Sequence, residues 1–81
     1  MTSEIPTAVL ANLAFERAAA HPSGHPGRRA AAAACEALMH STTTGTARRR
    51  IEGIRDPAVR AEALALLAEL EQIGAAEEMS A

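Results

Sequence analysis

The residues whose types best suit chemistry are His21, His25, Cys35 and His40, three imidazoles and the single thiol gathered in a 20-residue stretch. Imidazole nitrogen and thiolate sulfur are good zinc ligands, and four of them could complete a tetrahedral site. The spacing, however, matches no finger or ribbon pattern. His21 and His25 are four apart but sit in HPSGHPG, where two prolines and two glycines deny them the helix that would align them. Cys35 suits a small core position equally well. The expectation is therefore no metal and no cofactor, and a helical domain stabilised by zinc on these four residues stands as the third alternative for function.

A second set is Arg48, Arg49, Arg50, Arg55 and Arg60. Guanidinium groups bind phosphate in a fork geometry, so Arg48, Arg49, Arg50 and Arg55 are the residues a small nucleic-acid-binding regulator would use. Consecutive residues on a helix fan out over about 200° rather than forming one stripe. Glu52, Asp56 and Glu62 are interleaved, the net charge is -2, and the chain has no Trp or Tyr on which bases could stack. A solvated, salt-bridged surface explains the same residues, so nucleic-acid binding stands as the alternative. The run Thr42-Thr43-Thr44-Gly45-Thr46 offers hydroxyls and a glycine ahead of a helix. It lacks the second glycine and the lysine of a phosphate-binding loop and reads as a capping segment.

Phe15 is the third feature. At 100° per residue it lies about 140° from Leu10 and further still from Leu13, off the apolar stripe of its own helix. It either packs on a second face, under the HPSGHPG loop or the tail, or projects as an aromatic anchor for a partner.

The elements that must position these residues are helices. Hydrophobic residues make up 48% of the 81, most of them alanine, with one Phe and no other aromatic apart from histidine. Sheets draw on β-branched and aromatic side chains, so this composition favours helix. A first helix is expected over Pro6–Ala20, with Ser3 as a cap and Pro6 in the first turn. A second opens at Arg28 and runs through five alanines to His40, carrying Ala31, Ala34, Cys35, Leu38 and Met39 along one side. Thr46–Ile54 is a possible short helix weakened by Gly53. Asp56 then caps the clearest helix, Pro57 begins it, and Val59, Ala63, Leu66, Leu70 and Ile73 form its stripe. Gly74 is its expected stop, which leaves 75–81, like 1–5, as frayed termini of a single domain.

The expected fold is thus an all-α bundle of three principal helices with a possible short fourth, its neighbours antiparallel. All eight basic residues are arginine, and the slight acidity provides no field for drawing the chain to nucleic acid or membrane. One cysteine excludes an internal disulfide, no apolar run approaches a bilayer span, and no signal peptide is evident, so the expected location is cytoplasmic. No nucleophile setting or paired carboxylates are recognisable, and so short a chain can hardly enclose a typical substrate pocket, which argues against an enzyme. Large apolar side chains are few, and a core this thin invites a partner. The reading that results is a helical protein–protein interaction module, an accessory or regulatory subunit that docks on a larger protein or self-associates, with Phe15, Leu66, Leu70 and Ile73 as interface residues.

Overall fold

The computed structural model describes residues 5–80, with side chains for 5–76. Four helices account for most of these residues: α1 (Thr7–Ala20), α2 (Pro26–Met39), α3 (Thr44–Glu52) and α4 (Pro57–Ser80). No strand occurs among the described residues. The short helix expected near residues 46–54 is real, and two residues earlier than expected at each end.

Each start has a local cause. Pro6 ends the extended segment before α1 and offers no side-chain cap; Ser3 lies outside the described residues. His25 caps α2, its Nδ1 accepting from the Gly27 amide at 2.9 Å, and Pro26 fills the first position, where a missing N–H has no intrahelical partner anyway. The second helix therefore opens at Pro26 rather than Arg28. Thr43 Oγ1 accepts from the Thr46 amide at 3.1 Å, as expected of a capping loop. Asp56 Oδ1 accepts from the amides of Ala58 and Val59 at 2.9 and 3.3 Å, the start expected of α4.

The expected stop at Gly74 does not occur, because α4 continues through Ser80. Glycine costs a helix interior roughly 1 kcal/mol against alanine. Here its bare backbone lets Ile5 and Leu10 lie directly on α4: a Cβ built at Gly74 would sit 3.0 Å from Ile5 Cδ1 and 3.4 Å from Leu10 Cδ2. Residues 75–80 consequently form helix rather than a loose tail.

Three contacts fix the directions. Thr7 Oγ1, at the start of α1, donates to the Ser41 carbonyl just beyond α2 at 3.0 Å, so α1 and α2 are antiparallel. Arg17 meets Glu69 while Ile5 and Leu10 meet Gly74, so α4 is antiparallel to α1. Leu10, Ala11 and Ala14 from α1 join Ala30, Ala31, Ala34, Ala37 and Leu38 from α2, and the small side chains let the two axes close tightly. Across them lie Ala63, Leu66, Leu67 and Leu70 of α4, with Ala47 and Ile51 of α3 closing one side. Among the described residues Ser41 is the buried polar one, and its Oγ is satisfied by donating to the Ala37 carbonyl at 2.6 Å. No helix among the described residues is long and apolar enough to cross a membrane.

Candidate functional site

The core consumes one face of the α1–α2 hairpin and leaves part of the other uncovered. Phe15, off the stripe that buries Leu10 and Ala14, is 67% exposed rather than buried on a second face. Met39 is the last residue of α2 and is 70% exposed, although its spacing from Ala31, Cys35 and Leu38 suggested a shared buried side. Between the two lies an open groove of about 530 Å³. Its floor is apolar, made by Ala11, Leu38 and Cys35, and Thr7 and Asn12 supply the polar rim.

Cys35 stands one turn before Met39, and its thiol donates to the thioether sulfur at 3.8 Å. Burial pushes the thiol's pKa up, which keeps it protonated and a poor nucleophile at neutral pH. The groove thus presents soft, polarisable sulfur and an aromatic ring beside small alanines. Sulfur and aromatic groups of this kind are polarisable and can adapt to apolar groups of varied shape.

The α4 residues expected at an interface are placed differently. Leu66 and Leu70 are core residues at 8% and 1% exposure, and Ile73 is half-buried against the same core. The heptad-like stripe is occupied by α1, α2 and α3, so Leu66 and Leu70 are not available to a partner while the fold is intact. This corrects the expectation for those side chains and leaves Phe15 as the exposed member of the set.

The metal candidates do not converge. His21 and His25 stack face to face, ring centroids 4.6 Å apart and 10° from parallel, at the α1–α2 turn. Cys35 floors the groove, and His40 borders a separate crevice between α2 and α3 with Glu36 and Arg50. Among the described residues no group of three or more His, Cys, Asp and Glu side chains is placed to hold a metal ion.

The arginines divide as well. Arg48 pairs with Glu71 at 2.9 Å, and Arg60 donates to the Ile54 carbonyl at 3.1 Å. Arg49, Arg50 and Arg55 are exposed, with Arg50 turned to the α2–α3 crevice. Arg17, in the last turn of α1, makes a bidentate pair, its two terminal guanidinium nitrogens each lying 3.1 Å from a Glu69 carboxylate oxygen. That guanidinium holds the Glu69 carboxyl below the usual carboxylate range, and the carboxylate in turn raises Arg17.

The parts of the groove that sequence reasoning missed are Cys35 and Met39 acting together with Phe15. A spacing of four on α2 was visible, but which side of α2 would be covered depends on where α1 lies. Compared with protein-family models, curated proteins and solved structures, the chain matches none.

Proposed function

We propose that the protein is a small cytoplasmic interaction module, an accessory or regulatory subunit that docks a partner's apolar helix in the α1–α2 groove. The observation that carries this reading is the pair Phe15 and Met39, both more than two-thirds exposed and flanking one apolar depression. Large apolar side chains exposed beside each other mark a surface with a partner, and an aromatic ring is the commonest anchor of binding energy. The partner is a larger protein or a second copy of the chain.

The magnitude follows from exposure. A Phe side chain offers roughly 200 Å². With 67% of it open, covering the ring removes about 130 Å² from water and contributes on the order of 3 kcal/mol at about 25 cal/mol per Å². Replacing Phe15 with alanine should weaken association about 100-fold while moving the melting temperature little. The test is native mass spectrometry for self-association, together with a photo-crosslinking residue at position 15 or at exposed position 55 in living cells. A specific adduct or dimer through position 15, absent at 55 and lost in Met39→Ala, supports the reading. A monomer that gives no adduct at 15, or a Phe15→Ala variant that unfolds, overturns it. Nucleic-acid binding through Arg48, Arg49, Arg50 and Arg55 is the alternative, and its signature would be affinity that falls steeply with salt.

A further inference from the structure

His21, His25 and Gly27 form a small assembly at the α1–α2 corner that the docking groove does not use. His25 is the cap of α2: its backbone is extended (φ -71°, ψ 134°), its carbonyl accepts from the Arg28 amide at 3.0 Å, and its ring Nδ1 accepts from the Gly27 amide at 2.9 Å. An imidazole can accept through Nδ1 only while that nitrogen carries no proton. His21 lies flat against the His25 ring, centroids 4.6 Å apart. Gly27 makes room for both rings, since a Cβ there would lie 2.9 Å from His21 Nε2 and 3.0 Å from His25 Nδ1.

We propose that this corner is a proton-sensitive latch: His25 fastens the first turn of α2 when neutral and releases it when a proton occupies Nδ1. Histidine is the side chain that exchanges its proton between pH 5 and 8. On Nδ1 the proton turns an acceptor into a donor facing another donor, so the cap is lost. The new cation also sits at the positive end of the α2 dipole and against a second imidazole.

The surrounding charges fall on both sides of the balance. From α1, Arg17 faces the histidine pair, and from α2, Arg28 donates to the His21 carbonyl at 3.3 Å. From α4, Glu62 and Glu69 face it, with Glu69 already held by Arg17. Arg29 and Asp56 lie by Gly24 and Pro26 on the other side of the turn. Glu62 is thus the facing carboxylate that Arg17 does not hold. It is exposed, where solvent and salt weaken the attraction, whereas the lost cap bond is direct.

The test compares wild type with His25→Asn, because asparagine caps a helix equally well and carries no titrating proton. Thermal melts at pH 7.5 and 5.5 stay above the range in which carboxylates protonate. Wild type should lose about 5 °C between them, the effect of one cap in a domain of this size. His25→Asn should hold its melting temperature, and His40→Gln should fall with wild type. In wild type the Gly27 amide resonance should move with the His25 ring resonances through the same titration. A wild-type melt that stays level or rises on acidification, an equal fall in His25→Asn, or a Gly27 amide that ignores the ring would overturn the latch. The amide reading decides the matter even if the variant folds poorly.

Discussion

Gly74→Ala tests the packing of α4 because two effects of known size oppose each other at that position. Alanine in a helix interior is favoured over glycine by about 1 kcal/mol, so an exposed site would gain roughly that amount. The new methyl group, however, would lie 3.0 and 3.2 Å from two carbons of Ile5 and 3.4 Å from Leu10 Cδ2. Contact with Leu10 is ordinary, but Ile5 must move by a few tenths of an ångström, and overpacking of this kind costs roughly 1–3 kcal/mol. Ile5 is half-buried in the segment before α1, so it yields more readily than a core residue and the lower part of that range applies. The sum is a change of about 0–1 kcal/mol in the destabilising direction instead of the gain an open helix would show.

A double-mutant cycle in urea separates the two effects. Ile5→Ala alone should cost about 1–2 kcal/mol. In that background Gly74→Ala should become stabilising by about 1 kcal/mol, a coupling of roughly 1–2 kcal/mol between residues far apart in sequence. If Gly74→Ala stabilises the wild type by the full helix-propensity amount, or if the two substitutions add without coupling, Ile5 does not rest on Gly74 and the account of why α4 runs past it is wrong.

Leu67 is fully buried, and Leu67→Ala should cost about 2–5 kcal/mol, a large part of the stability of so small a domain. Far-UV circular dichroism should show a melting temperature at least about 8 °C lower, on the order of 4–8 °C per kcal/mol, or an unfolded chain. Arg17→Met should return the Glu69 carboxyl to the ordinary carboxylate range, because the guanidinium is what holds it down. Carbon-13 titration of the carboxylates measures this. In wild type the pair's contribution to stability is present above the usual carboxylate range and lost as pH falls through the lowered value; Glu69 is exposed to solvent, so that contribution is small. An unchanged Glu69 in the variant would show that the pair does not form in solution.

How much of the protein was legible depends on the range of the interaction concerned. The chain's alanine content, its Pro and Gly clusters and its caps act within a few residues, and they determine that it is helical and where helices begin. Asp56 with Pro57, and a cap somewhere in Thr42–Thr46, were readable because a cap needs only its own first turn, and the structure assigns the second to Thr43. Periodicity gave the buried side of α4 but not its use. Leu66, Leu70 and Ile73 fit a stripe that covers a core and a stripe that waits for a partner equally well. That α1, α2 and α3 cover Leu66 and Leu70 was settled only by tertiary packing.

The same limit governs the candidate site. That Phe15 lies off its helix's stripe follows from counting residues, since 100° per residue is a property of the helix alone. That it stands beside Met39 and Cys35 over one groove required α1 and α2 to meet antiparallel, a relation set by many small contacts among alanines and by the Thr7–Ser41 bond across the hairpin. Gly74 shows the difference most sharply. By local energetics a glycine near the end of a helix is a stop, and the sequence by itself could determine no more. Ile5 and Leu10, more than sixty residues earlier in the chain, lie on that glycine and make it a packing position, because apolar side chains seated on a bare stretch of helix backbone are a benefit only the folded state can supply.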